Sequence, residues 1–340
     1  MKILFAGEDF KFVNNIIDHI KKTNNVKIDK WKYQKIHYKT KSMKLLKWAD
    51  VIFCEWCLGN AVWYSKQKLS HQKLYIRIHR YDAFTTFPNL VLWDNVDKII
   101  FIAPKIKEIT INKIPQITNK ACLIFNYVPK NISTISLDNR KYNIGLLGYT
   151  PHYKRPDLSI KILQKLIKLN SKYKLIIKGK LPNETPWIWR QKEEQTYYYK
   201  LIKYINDYNL QNNVIFEKHS NIHNWFSNIG YIISCSDIEG SHQAVAEGMY
   251  AGCIPMISGK WYYEYGADLI YPKKYCYKDI DEIVTKIEYF NNNEELYEKE
   301  KKYCKEYSYI NFNEDKVLAD YYKLIVKNEY ETIELQHKCD

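Results

Sequence analysis

Residues 239–255 read EGSHQAVAEGMYAGCIP. Two glutamates, Glu239 and Glu247, bracket seven residues. Glu239 stands in a loop ahead of Gly240, and Glu247 falls in the first turns of a short helix that the pattern places over 243–250 and closes at Gly252. An apolar run at 231–235 precedes the segment and another at 253–257 follows it. Strand, loop, short helix and strand form the repeating unit of a parallel sheet with helices on its faces. In such sheets ligands sit beyond the carboxyl ends of the strands. An ionised carboxylate only accepts hydrogen bonds, so Glu239 suits sugar hydroxyls and Glu247 suits a vicinal diol such as a ribose. Gly240 admits close approach of a ligand. The backbone N–H groups of Ser241, His242, Gln243 and Ala244 open the helix, where a phosphate is stabilised. The flanking residues are apolar, so Glu247 is expected to be partly buried and to need a partner.

The same alternation runs through the chain. Apolar runs at 2–6, 26–31, 51–54, 74–79, 99–102 and 122–125 predict strands, with helices over 10–22, 43–49 and 60–68 between them. Residues 127–141, YVPKNISTISLDNRK, break the pattern and read as a linker. Strands resume at 143–148, 174–178 and 214–217, with helices over 156–169 and 197–208. Leu158, Ile162, Leu166 and Leu169 form the expected core stripe of the first of these helices. The expected organisation is α/β, with two Rossmann-like doubly wound domains facing a cleft. A first domain covers 1–126, a linker 127–141 and a second domain 142–310. A helix in 311–340 crosses back to the first domain.

Residues 239–255 resemble the E-x7-E signature of the retaining glycosyltransferases with two Rossmann-like domains, the GT-B fold of glycosyltransferase family 4 and the glycogen synthases. Ile144-Gly-Leu-Leu-Gly148, the basic pair Lys154-Arg155, Leu175-Ile-Ile-Lys-Gly179 and Trp225-Phe226 resemble further segments of that family's donor domain, in order. The resemblance covers about residues 140–300 well and the first half weakly, and it would make 1–126 the acceptor side and 142–310 the donor domain. It implies that Glu239 contacts the donor sugar and acts in catalysis, and that Glu247 holds the ribose. It also implies that Arg155 and the amides near Ser241–Ala244 hold a diphosphate. Adjacent cations in a strand-to-helix turn suit that work on chemical grounds too. His79 closes an apolar run where the family often places a histidine near the reacting carbon. Three positions depart from the family. Tyr149 stands where many members have arginine, His242 where a glycine is common, and Gly7-Glu8-Asp9 where a glycine-rich turn is usual. Glu8 and Glu55 are weaker acceptor-side candidates.

Charge divides unevenly. Residues 1–140 hold 24 Lys or Arg against 11 Asp or Glu, while 141–340 hold 28 against 27. Between Lys21 and Lys47 stand ten lysines and one acid, Asp29. A basic first half fits an anionic partner such as a membrane surface or an anionic glycan or lipid. A solvated lysine face is the plain alternative. Eight cysteines in 340 residues are not a disulfide scaffold, and Cys54-Glu-Trp-Cys57 lacks a second pair at zinc-site spacing. The start MKILFAGEDF is too short and too soon charged for a signal peptide. No run approaches 18 apolar residues. No metal site is expected, and Asp279-Ile-Asp281 reads as a helix cap. No phosphate-loop or dinucleotide-binding glycine motif occurs.

The expectation is a metal-independent glycosyltransferase, cytoplasmic and peripheral at the inner face of the membrane. Its co-substrate is a nucleotide-diphosphate sugar (UDP or GDP), with no other cofactor. Its acceptor is a cell-surface glycan or glycolipid, as in polysaccharide, lipopolysaccharide or capsule biosynthesis. No nucleic acid partner is expected. The rivals are a nucleotide-sugar epimerase of the same fold and a non-catalytic binder of anionic polymers.

Overall fold

The computed structural model describes residues 1–330 and 335. The chain divides into two compact units. The first comprises Met1–Tyr127 and the segment returning from Glu314, and the second Val128–Asn313. Residues 331–334 and 336–340 of the expected terminal stretch lie outside the described residues.

In the first unit, β1 (Lys2–Gly7), β2 (Asn25–Lys30), β3 (Val51–Glu55), β4 (Lys73–Ile78), β5 (Lys98–Phe101) and β6 (Ala121–Leu123) make one parallel sheet. Its order is β2-β1-β3-β4-β5-β6. All five residues of β3 are buried, because helices cover both faces and leave no polar alternation. These helices are α1 (Asn14–Lys21), α2 (Lys39–Trp48), α3 (Gly59–Gln67), α4 (Arg80–Ala83) and α5 (Pro104–Lys113). The sequence pattern did not reveal α5, whose buried side is only Ile106 and Thr110. Ile16, Ile17 and Ile20 of α1 join the core cluster that also holds Val317, Leu318 and Tyr321 from the returning segment. Each such side chain removed from water contributes roughly 1.5–3 kcal/mol.

In the second unit, β7 (Asn143–Leu147), β8 (Lys174–Gly179), β9 (Val214–Lys218), β10 (Tyr231–Ser234) and β11 (Ile254–Ile257) form a parallel sheet in the order β11-β10-β7-β8-β9. Its helices are α6 (Pro156–Leu169), α7 (Pro186–Trp189), α8 (Lys192–Asp207), α9 (Gln243–Tyr250), α10 (Lys260–Tyr265), α11 (Ile280–Asn291) and α12 (Glu294–Phe312). The next helix, α13 (Glu314–Tyr322), belongs to the first unit. The core side of α6 is Ser159, Ile162, Leu163 and Leu166, whereas Leu169, its last residue, is exposed. Asp279 caps α11, accepting the Asp281 and Glu282 N–H groups.

Residues 128–141 are not a free linker. Ser133 and Leu137 donate their N–H groups to the His223 and Ser227 carbonyls. Arg140 is buried, and its guanidinium donates to the Ala251 and Gly252 carbonyls just past the end of α9. A cation there satisfies terminal carbonyls and complements the helix dipole. Helix α9 lies directly on β10. A Cβ added to Gly248 would come 2.9 Å from Ile232, so only glycine permits this approach. From the other side the buried Ser308 hydroxyl of α12 donates to the Ala246 carbonyl at 2.8 Å.

Candidate active site

Topology places the site in the second unit. The strand order turns between β7 and β10, where successive connections leave in opposite directions and a crevice opens beyond the strand ends. The segment after β7 carries Gly148, Tyr149, Lys154 and Arg155, and the segment after β10 carries Glu239 to Glu247. Gly148 adopts φ +76°, and a Cβ there would meet no atom within 4 Å. Tyr149 is buried against Phe216 and Tyr198. It is therefore a packing residue in this unit and offers no charge where the family often has arginine.

The two segments are joined by charge. Lys154 Nζ lies 2.5 Å from Glu239 Oε1. Arg155 grips Asp157 through two nitrogens at 3.0 Å each and reaches Asp237 at 3.3 Å. Two cations thus face three carboxylates, Glu239, Asp157 and Asp237. The sequence had offered Lys154 and Arg155 as an open phosphate grip, but the protein has already engaged both with carboxylates. Asp237 carried no sequence signal, because its pairing depends on how the two strand ends meet, whereas Asp157 lies two residues from Arg155 in the first turn of α6.

Burial pushes the Glu239 carboxyl up, but His242 and Lys154 outweigh it, with hydrogen bonds from Lys154 and Ser236, and hold it at about 2. Burial, chiefly, pulls His242 down to about 4, with Lys154 adding to it and Glu239 opposing. At neutral pH the imidazole is therefore neutral, and Lys154 is the cation that keeps Glu239 ionised. Both ring nitrogens of His242 are buried and lack a hydrogen-bond partner. Nε2 lies 3.8 Å from Glu239 Oε1, and Trp261 meets the ring edge-on at 5.2 Å. Backbone φ at His242 is +41°, a left-handed conformation that disfavours any side chain. Arg155, at the start of α6, is left-handed too, with φ +53°. Both strand-to-helix turns that border the crevice thus hold a left-handed non-glycine residue.

Gly240 and Ser241 are buried beside Glu239. The buried Tyr271 hydroxyl donates to the Ser241 carbonyl at 2.7 Å and to that of His242 at 3.2 Å, fixing the turn from behind. Gln243 opens α9, and Glu247 lies one turn along it, 8% exposed. Tyr271 feels both carboxylates: burial first, then Tyr307, Glu247 and Glu239 push its hydroxyl up. Glu239 stands in the loop ahead of α9, and Glu247 sits about 6 Å along the helix axis from Gln243.

In the first unit, Glu55 and His79 lie together. Glu55 Oε1 accepts from Arg77 at 3.0 Å and stands 2.9 Å from His79 Nε2. Glu55 and Arg77 are register partners on β3 and β4, and both are fully buried. The fields of Arg77 and His79 hold the carboxyl below its ordinary value despite burial, which pushes it up. This carboxylate is the counter-charge to a buried guanidinium through Oε1, while its Oε2 is buried without a hydrogen-bond partner. His79 stacks on Trp56 at 3.9 Å, and burial, chiefly, lowers its pKa. Its ring is bound to Glu55 and covered by Trp56, so this unit shows it as a held side chain. Glu8 accepts the Tyr33 and Gln34 N–H groups at 3.0 and 2.7 Å, clamping a turn instead of standing open to an acceptor.

A family model, Glycosyl transferases group 1, matches residues 129–307, more than half the chain. The chain belongs to the group 1 glycosyl transferases. No curated protein sequence matches it. Among solved structures, this glycosyltransferase is similar to a glycosyltransferase of Rickettsia africae, at 13% identity over 96% of this chain and 99% of that one, with a TM-score of 0.71. HepE of Anabaena, in complex with UDP and glucose, is 13% identical over 94% and 97%, with a TM-score of 0.70. TarM, solved from S. aureus, is 18% identical over 81% of this chain and 54% of its own, with a TM-score of 0.62. The chain thus spans about half the length of TarM. The shared feature is the fold: two Rossmann-like domains of the GT-B type. Among the described residues, no helix is long and apolar enough to cross a membrane.

Proposed function

We propose that this glycosyltransferase moves a sugar from a nucleotide-diphosphate sugar with retention of anomeric configuration, in the manner of family 4 and without a metal. The observation that carries this reading is His242. A neutral, buried imidazole with two unpaired nitrogens sits beside an ionised Glu239 at the mouth of α9. Burying unpaired nitrogens costs stability, so their presence argues for a ligand that pairs them. A pyrophosphate oxygen can accept from one nitrogen, and a sugar hydroxyl can donate to the other.

Glu239 accepts from donor-sugar hydroxyls and Glu247 from the ribose. Lys154 exchanges part of its contact with Glu239 for the phosphates, while Arg155 stays aimed by Asp157. The acceptor hydroxyl attacks the anomeric carbon on the face the diphosphate leaves. The carbon–oxygen bond to the diphosphate breaks, the new glycosidic bond forms, and a diphosphate oxygen takes the hydroxyl proton. Lys154, Arg155 and the first amides of α9 stabilise the charge that develops on the leaving group. HepE was solved with UDP and glucose, which makes UDP-hexoses the first donors to try. The proposed acceptor is a cell-surface glycan or glycolipid, reached from the cytoplasmic side with the lysine-rich first unit at an anionic membrane.

The test is stereochemical. Incubation with a panel of UDP- and GDP-sugars and candidate glycans, followed by proton NMR of the new anomeric signal, should show the donor's configuration in the product. An inverted product overturns the reading. Epimerised donor without transfer supports the epimerase alternative.

A further inference from the structure

The first unit holds a cavity of about 520 Å³ at the carboxyl end of β2, beside the first turns of α3. Its wall is aromatic. Trp31 stacks on His37 at 3.8 Å and 7°, and Trp63 stands edge-on to His37 at 4.9 Å. Lys35, Lys39 and Lys66 line it as well and are exposed. None of the three makes an ion pair within the described residues.

The cavity is built before any ligand arrives. Asp29 is buried, and its Oδ2 accepts from Trp31 Nε1 at 2.9 Å, Ser42 Oγ at 2.6 Å and the Tyr64 hydroxyl at 2.8 Å. Ser42 Oγ in turn lies 2.7 Å from His37 Nδ1. Asp29 is the one acid among ten lysines between Lys21 and Lys47, and it points inward. Its charge therefore aligns the aromatic wall and leaves the lysines at the mouth without a counter-charge. The loop carrying Lys35 is fixed as well. Tyr33 and Gln34 are left-handed and bound to Glu8, and the Gln34 carbonyl accepts the Gly59 N–H at 2.9 Å. A Cβ at Gly59 would sit 2.6 Å from that carbonyl. A pocket already in shape spares the ligand the cost of ordering it.

Aromatic faces are negative and attract the polarised C–H face of a sugar ring, while uncompensated lysines attract anions. We propose that this cavity binds a saccharide bearing anionic groups, its ring against Trp63 and His37 and its carboxylate or phosphate among Lys35, Lys39 and Lys66. The concave, pre-fixed wall favours a discrete glycan over a lipid surface. Assigning that glycan as the acceptor rests on the glycosyl-transfer reading; its binding does not.

The experiment is fluorescence anisotropy of the full chain with labelled tetrasaccharides. One alternates uronic acid with neutral sugar, a second has those carboxylates reduced to alcohols, and a third is linked by phosphodiesters. At least one anionic tetramer should bind tenfold more tightly than the reduced one, and added salt should weaken it. Which of the two it is distinguishes carboxylate from phosphate. Lys35→Ala with Lys66→Ala should weaken it at least fivefold, and Trp63→Ala should weaken all tetramers. Both variants should keep the wild-type melting shift with UDP, since all three residues belong to the first unit. Equal binding of reduced and anionic tetramers overturns the proposal, as does binding of none. Binding only to phosphatidylglycerol vesicles, lost in the lysine variant, also overturns it and makes the surface a membrane patch. Tetramer binding without any UDP shift leaves this site standing and removes the donor-site reading.

Discussion

Replacing His242 by glycine tests whether the imidazole is kept for a ligand or for the fold. At neutral pH the substitution relieves a left-handed side chain, worth roughly 1–2 kcal/mol, and unpaired buried nitrogens, worth about 1–3 kcal/mol. Against this it loses the edge contact with Trp261, about 0.5–1.5 kcal/mol, some buried ring surface, and about 0.5–1 kcal/mol of glycine entropy. The terms nearly cancel, so His242→Gly should lie within about 1 kcal/mol of wild type at about pH 7.5. Acid separates the two proteins. The folded pKa near 4 lies below the unfolded 6.5, so between them the unfolded chain binds the extra proton. The wild type's stability is therefore complete above about 6.5 and falls as pH drops toward 4. At about pH 5 this loss amounts to about 2 kcal/mol, or roughly 4–8 °C in melting temperature for a unit of this size. The variant has no such group and gains that margin over wild type. Melting curves of both proteins across this range, with and without UDP, read both effects. Parallel curves at every pH refute the reasoning, and so does an undiminished UDP shift in the variant.

Further substitutions probe the charges and the packing around the site. Lys154→Ala strips Glu239 of its neutral-pH counter-charge and should cost about 2 kcal/mol, less than for a fully buried pair because Lys154 is 19% exposed. Acid titration of the same variant should show the Glu239 carboxyl rising from about 2, so the stability it contributes above the unfolded value of 4.5 is lost at a higher pH. Glu55→Ala leaves the fully buried Arg77 guanidinium uncompensated and should cost about 3–5 kcal/mol in urea unfolding. Gly248→Ala drives a methyl into Ile232 and should cost about 1–3 kcal/mol by the same measurement, with a weaker donor as α9 shifts.

The periodic part of the molecule was legible in the sequence, and the charge pairing was not. Apolar runs marked the central strands such as β3, because a sheet covered on both faces needs no polar alternation there, whereas the edge strand β2 reads NVKIDK and is mostly exposed. Helix α9 was legible with its bounds, since Gly252 and the apolar flanks close it. Glu55 looked like an open strand-end carboxylate. Only strand register sets it opposite Arg77, and no local pattern encodes register between β3 and β4. Likewise 127–141 has a linker's composition, yet Arg140 finds the carbonyls past α9, more than a hundred residues on. The departure at His242 was visible as a letter in place of glycine. Its left-handed backbone and unpaired nitrogens became visible only in three dimensions.

The most direct measurement is calorimetric titration of the full chain with UDP, GDP and their sugars, repeated on Glu247→Ala and Glu239→Ala. One nucleotide should bind the wild type. Glu247→Ala should weaken that nucleotide at least tenfold, while Glu239→Ala should affect the sugar nucleotide more than the bare diphosphate. Absence of binding by any nucleotide, or unchanged affinities in both variants with the fold intact, would contradict the account.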